Sequence, residues 1–139
     1  MPVLRELLPN LYVIRGWLGC VHLLVDVDGA VLIDSGFIGD ADRVRGAMLQ
    51  LGRSPQDLRV ILLTHGHLDH TCTAAALQRW NGAAVWAPAG DEQHVNGTFP
   101  YRGWSRVCGG LERAGRWLVR YRPPQVERWF RDGRSEEHT

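Results

Sequence analysis

Three histidines and one aspartate lie within six consecutive residues of this 139-residue chain. They are His65, His67, Asp69 and His70, inside the run Thr-His-Gly-His-Leu-Asp-His at 64–70. Imidazole nitrogens and carboxylate oxygens are ligands that zinc takes at about 2 Å. Alternate residues of an extended segment point to one side, so His65 and His67 are predicted to face one metal. Asp69 and His70 enter the next helix and are predicted to face a second metal nearby.

The plain interpretation of the same run is a polar loop whose histidines cap a helix. Ordinary residue frequencies would produce this arrangement by chance in only about one chain in ten thousand. The surroundings also favour metal binding, because an apolar strand is predicted before the loop and a helix after it. We therefore interpret residues 64–70 as a metal-binding loop.

Hydrophobic periodicity predicts the elements that must position this loop. Strands are predicted over residues 11–14, 21–27, 30–34, 58–63, 83–86 and 126–130, with a hairpin turn at Asp28 and Gly29. Helices are predicted over residues 40–51, 71–80 and 111–121, with a short one from Ala89. The strand at 58–63 is almost wholly apolar, which predicts burial on both faces. This order predicts an α/β fold, with a mixed sheet and flanking helices.

The loop resembles the signature of the metallo-β-lactamase superfamily. Residues 33–36 (Ile-Asp-Ser-Gly) resemble the first motif of that family, an aspartate that ends a strand before a glycine turn. The similarity runs over residues 11–133 and implies the N-terminal part of an αββα sandwich. It further implies that Asp34 braces the histidine loop by hydrogen bonds. The plain interpretation of Asp34 is a turn-capping aspartate.

By position, the resemblance implies that His65 and His67 bind the first metal and that Asp69 and His70 bind the second. Zinc is the expected metal, two ions per complete site, with iron and manganese as alternatives. The implied reaction is attack of a metal-bound hydroxide, oriented by Asp69, on an ester, thioester, lactone or amide carbonyl. Two alternatives stay open: hydrolysis of nucleic-acid phosphodiesters, and metal binding without turnover.

The later ligands of the family, two histidines and a bridging aspartate, have no counterpart that can be placed after residue 70. The histidines there are His94, interpreted as a surface residue of a short helix, and His138 in a polar tail. We therefore interpret residues 1–133 as the N-terminal portion of a metallo-β-lactamase-like domain and residues 134–139 as a non-native-looking tail. The strand at 126–130 and the turn after it predict a further strand downstream.

Three other features have two interpretations each. His22 is either a packed strand residue or part of a substrate cleft. Cys72 is either a small buried residue or one that approaches the metal loop. The irregular stretch that contains Asn96, Tyr101, Arg102 and Trp104 is either a surface loop or a substrate-facing lid.

Composition favours a cytoplasmic protein, and the resemblance implies a small-molecule substrate. The net charge is +1, and the arginines that accumulate toward the C-terminal end are interpreted as a solvated basic face, so no nucleic acid is expected. The three widely spaced cysteines do not form a disulfide framework. No signal peptide is recognised, and no stretch approaches the roughly 20 apolar residues that span a bilayer, so no membrane partner is expected.

Overall fold

The computed structural model describes residues 3–96, 106–118 and 120–131. The strands are β1 (Leu4–Leu8), β2 (Leu11–Arg15), β3 (Cys20–Asp26), β4 (Gly29–Ile33), β5 (Leu58–Leu62), β6 (Ala84–Pro88) and β7 (Val126–Phe130). The helices are α1 (Asp40–Gln50), α2 (Leu68–Thr71), α3 (Ala74–Asn81), α4 (Glu92–Val95) and α5 (Arg106–Leu118). None of these helices is long and apolar enough to cross a membrane.

All seven strands form one sheet, whose spatial order follows the chain. Strands β1 to β4 pair antiparallel, whereas β4 to β7 pair in parallel. Parallel neighbours need a crossover connection, and α1 and α3 supply the first two. Because β4 and β5 run in the same direction, their carboxyl ends meet at one edge of the sheet, where functional loops gather. This mixed sheet with its helices is the predicted α/β architecture.

One face of the sheet packs against α1 and α3. Alternate strand residues are buried there together with apolar helix residues, among them Ile14, Leu23, Leu32, Ile61, Val85, Val44, Met48 and Leu77. Each large side chain buried in this way stabilises the fold by about 1.5–3 kcal/mol. On the opposite face Val60 and Leu62 of β5 are only half-buried. The predicted burial of β5 on both faces is therefore wrong for the described part of the chain.

Three elements of the structure depart from the prediction by more than two residues. β1 has no counterpart among the predicted strands, because Leu-Arg-Glu-Leu-Leu does not alternate apolar and polar residues. Helix α5 begins at Arg106 rather than at residue 111. The helix predicted over 71–80 corresponds to α3, which begins only at Ala74, while Thr71 is the last residue of the separate helix α2. The Thr73 hydroxyl donates to the Ser35 carbonyl at 2.6 Å, and such side-chain bonds compete with a continuous helix.

Strand β7 is confirmed at its predicted position and pairs with β6. Its other edge has no partner strand within residues 3–96, 106–118 and 120–131. The predicted turn at 132–133 and the tail at 134–139 lie outside the described residues, so the division at residue 133 stays a prediction.

Candidate metal centre

The turn after β4 fixes the start of the histidine loop. Asp34 adopts φ 62°, in the left-handed region that costs most residues about 1–3 kcal/mol. Its Oδ1 accepts hydrogen bonds from the backbone N–H and the hydroxyl of Thr64, at 2.8 and 3.0 Å. Its Oδ2 lies 2.9 Å from Nδ1 of His70. Asp34 is buried, with 7% of its surface exposed, and its carboxylate joins the two ends of the loop.

Ser35 fixes the end of the loop and is not among the predicted site residues. Its backbone N–H and its hydroxyl both donate to the His70 carbonyl oxygen, at 2.8 and 2.9 Å. The side chain is fully buried, where an unpaired hydroxyl would be costly. A serine directly after a strand-ending aspartate is the signal from which this role could have been suspected.

Asp40 supports the same turn from the first residue of α1. Its buried carboxylate accepts the N–H of Phe37 at 2.8 Å and the N–H of Trp17 at 3.2 Å. A side chain at Gly36 would collide with this carboxylate. The glycine of the Asp-Ser-Gly motif is therefore required both by its φ of 79° and by the space that Asp40 occupies.

The histidine rings converge beside the turn. The ring centroids of His65 and His70 are 3.9 Å apart, and those of His65 and His67 are 4.8 Å apart. Donor atoms of His65, His67 and Asp69 lie within 4.8 Å of one another, as do those of Asp34, His65 and His70. The structure thus brings together all five predicted site residues. Asp69 lies near the His65–His67 pair as well as near His70. The four donors are therefore less strictly divided into two metal positions than the sequence predicts.

Both oxygens of Asp34 are already engaged by Thr64 and His70. A carboxylate that accepts this many hydrogen bonds fits the role of a brace better than that of a ligand. Asp34 is also buried, whereas His67 and Asp69 are exposed and open to an incoming ion.

Hydrogen bonds assign the tautomers of two rings. The Thr64 hydroxyl donates its hydrogen to Asp34 and accepts from Nδ1 of His65 at 2.9 Å. Nδ1 of His70 donates to Asp34 in the same way. In each ring Nε2 is left with a free lone pair, which is the arrangement that orients a metal-binding histidine.

The donor set fits a divalent metal. Nε2 of His70 lies 3.3 Å from Oδ2 of Asp69, so two lone pairs face each other and repel unless a proton or a cation lies between them. Two ligands about 2 Å from one tetrahedral ion also lie about 3.3 Å apart. Burial, followed by the charges of His70 and His67, lowers the pKa of His65. This favours the neutral imidazole that metal binding requires.

The segment after β6 braces the middle of the loop. Asp91 Oδ2 accepts the N–H of Gly66 at 2.9 Å. A Cβ on Gly66 would lie 2.5 Å from the Cβ of His94, so only glycine allows α4 to pack this closely. The ring of His94 is half-buried, with its centroid 6.3 Å from that of His67. The prediction that His94 is a surface residue is therefore wrong, because the glycine between the two histidines leaves room for α4.

The structure describes three of the residues to which the sequence gives two interpretations each. His22 is half-buried on β3, where it pairs with Ile33 directly before Asp34. Cys72 is partly buried rather than fully buried. Asn96 is exposed, while positions 101, 102 and 104 of the predicted lid lie outside the described residues.

Comparison with known proteins identifies a family, and the curated relatives include two hydroxyacylglutathione hydrolases. The sequence profile of the Metallo-beta-lactamase superfamily matches residues 15–139. Hydroxyacylglutathione hydrolase GloC of Haemophilus influenzae is 37% identical over 67 residues, which cover 48% of this chain and 29% of that protein. Hydroxyacylglutathione hydrolase of Albidiferax ferrireducens is 41% identical over 69 residues, which cover 50% of this chain and 25% of that protein.

Solved structures share the fold. A motif mutant of the metallo-beta-lactamase from Cronobacter sakazakii matches with a TM-score of 0.75 and 27% identity, over 96% of this chain and 49% of that one. The metallo-beta-lactamase MIM-1 from Novosphingobium pentaromativorans matches with a TM-score of 0.71 and 33% identity, over 89% of this chain and 42% of that one. The match thus spans about half the length of these structures and less than a third of the curated relatives.

Proposed function

The chain belongs to the metallo-beta-lactamase superfamily, and we propose that it carries the first metal-binding loop of a hydrolase that cleaves a hydroxyacylglutathione thioester. The observation that carries the proposal is the convergence of donor atoms from His65, His67, Asp69 and His70 at one edge of the sheet. The thioester class is supported by the two curated relatives, which are named hydroxyacylglutathione hydrolases.

We propose zinc as the metal, with iron or manganese as alternatives, held by His65 and His67 at one position and by Asp69 and His70 at the other. A metal bound there lowers the pKa of a water molecule and polarises the substrate carbonyl. The residues that support the loop orient the metal-binding side chains by hydrogen bonds. Asp34 engages His70 directly and His65 through Thr64, so the Nε2 atoms of both rings stay directed away from it.

Thioester hydrolysis consumes one water molecule. The water oxygen bonds to the carbonyl carbon, the carbon–sulfur bond breaks, and the departing sulfur takes up a proton. The side chain of Asp69 is 45% exposed, so its carboxylate can orient the attacking water while it remains next to His70. His67 and Asp69 are exposed at this edge of the sheet, so the site is accessible to a small substrate.

The test is turnover of a hydroxyacylglutathione by the zinc-loaded chain, measured as the release of free thiol. Hydrolysis of a chromogenic β-lactam is measured in parallel. We expect thiol release that depends on metal, disappears in His67→Ala and persists in the matched variant His138→Ala. Turnover of the β-lactam alone would overturn the thioester class. Turnover of neither by zinc-bound protein would overturn the enzymatic proposal and favour metal binding without catalysis.

A further inference from the structure

Four arginines surround a groove on the helix-covered side of the sheet. Arg45 of α1, Arg79 of α3, and Arg120 and Arg122 after α5 line a cavity of about 400 Å³. Among its described lining residues, the acidic one is Asp42. Four guanidinium groups that face one space repel each other, and the field they create attracts a multivalent anion.

Arg45 is held in place by two contacts and retains an unused donor. Its Nη1 donates to Oδ1 of Asp42 at 2.7 Å, and its guanidinium lies 5.4 Å from the ring centroid of Trp80. These contacts fix the plane of the guanidinium group. Its Nε–H is buried and has no hydrogen-bond partner among the residues the structure describes. Since a buried donor without an acceptor is unfavourable, this N–H favours the binding of an acceptor oxygen at the groove.

The segment that supplies Arg122 is tied to α3. The Gln78 side-chain amide donates to the Gln125 carbonyl at 2.9 Å, and the Gln125 N–H donates to Oε1 of Gln78 at 2.9 Å. Arg79 follows Gln78 directly, and Arg79 and Arg122 line the same groove. The two arginines also line a further cavity of about 520 Å³.

Arg120 adopts φ 52°, a left-handed conformation that is strained for a residue with a side chain. Its N–H donates to the carbonyl oxygen of Trp117 at 3.2 Å, which closes the turn after α5. Both Arg120 and Arg122 line the groove. Both are also exposed, as predicted for the basic C-terminal region.

We propose that this groove binds the phosphate group of a small molecule. A tetrahedral phosphate dianion offers several acceptor oxygens, and guanidinium groups bind such oxygens in pairs. A carboxylate carries one negative charge, whereas a phosphate group carries about two and has more acceptor oxygens, so four arginines favour phosphate. The site contains none of the metal-loop histidines, so it is independent of the proposed function.

The experiment is a calorimetric titration of inorganic phosphate into the full zinc-loaded chain at low ionic strength. The test variant is the double substitution Arg79→Gln and Arg122→Gln. The matched control is Arg5→Gln and Arg59→Gln, two exposed arginines on β1 and β5 outside the groove. Both double variants remove two positive charges and leave the metal loop unchanged. The difference between their phosphate affinities therefore measures the contribution of the groove.

We expect the groove variant to lose at least about tenfold in phosphate affinity, and the control to change by less than about threefold. Equal losses in both variants, or no saturable binding to the unsubstituted chain at millimolar phosphate, would overturn the proposal. A second titrant, glycerol phosphate, identifies the source: tighter binding than inorganic phosphate indicates a phosphorylated metabolite, and weaker binding indicates free phosphate. If the double variant does not fold, Arg79→Lys keeps the charge but loses paired hydrogen bonding, and unchanged affinity there would also contradict the site.

Discussion

One carboxylate oxygen of Asp34 lies 2.9 Å from Nδ1 of His70, although 36 positions separate the two residues in the chain. The other oxygen accepts the backbone N–H of Thr64, at the opposite end of the histidine loop. A single buried side chain therefore sets the distance between the ends of the loop and the direction of one imidazole. This relationship makes metal binding depend on a residue that we do not place among the ligands.

Replacing Asp34 should weaken metal binding without removing a ligand. We expect Asp34→Ala to lower zinc affinity by about 10–100-fold, because Thr64 and His70 lose their shared acceptor. Asp34→Asn keeps the size and one acceptor oxygen, so its affinity should lie between those of Asp34→Ala and the unsubstituted chain. Competition with a chromophoric chelator measures all three, and an unchanged affinity in folded Asp34→Ala would refute the bracing role.

Asp91 should stabilise the fold through its hydrogen bond to the backbone of the histidine loop. Removal of this acceptor takes away one hydrogen bond of the Gly66 N–H at a buried position, so Asp91→Ala should lower the free energy of unfolding by about 0.5–1.5 kcal/mol. Asp91→Asn retains an acceptor oxygen and should lose less. Urea unfolding of both variants makes the comparison, and equal losses would show that the charge, rather than the hydrogen bond, is what matters.

A methyl group at Gly66 should separate α4 from the histidine loop. We expect Gly66→Ala to destabilise the fold by about 1–3 kcal/mol, because the added Cβ would lie 2.5 Å from the Cβ of His94. The control is Gly46→Ala in α1, where a Cβ meets nothing within 4 Å and alanine favours the helix. Thermal unfolding should therefore shift in opposite directions. A loss in Gly46→Ala as large as that in Gly66→Ala would disprove the steric explanation.

The lowered pKa of His65 predicts how the stability of the metal-free chain depends on pH. Burial comes first among the causes, followed by His70 and His67, and all three disfavour the charged ring in the folded state. The unfolded state then binds the proton more tightly, so stability is lost as pH falls from about 6.5 through the lower folded pKa. Chemical unfolding at pH 7.5 and pH 5 should show this loss, and it should be smaller in His65→Gln. An identical pH dependence in His65→Gln would contradict the assignment.

The sequence predicts those parts of the fold that hydrophobic periodicity controls. Strand β7 and helix α1 follow their patterns closely, and the Asp28–Gly29 hairpin joins β3 and β4 as expected. The metal loop is predictable as well, because its donors lie close together in the chain and follow an apolar strand.

Contacts that join distant segments are not predictable from local patterns. Ser35 and Asp91 support the loop through hydrogen bonds to His70 and Gly66. The position of Ser35 after a strand-ending aspartate indicates a structural role, but no local pattern identifies the partner of either residue. The sequence predicts His94 at the surface, whereas its partial burial depends on a glycine 28 positions earlier in the chain. The division between α2 and α3 likewise depends on Ser35, which accepts the Thr73 hydroxyl.

The most direct test of the account is a calorimetric zinc titration of the unsubstituted chain, His65→Ala and the control His138→Ala. His65 belongs to both groups of donor atoms, so its loss affects each proposed metal position. We predict saturable zinc binding by the unsubstituted chain and by His138→Ala, and a loss of more than about a hundredfold in His65→Ala. Equal zinc affinity in all three proteins would contradict the proposal that this loop holds the metal.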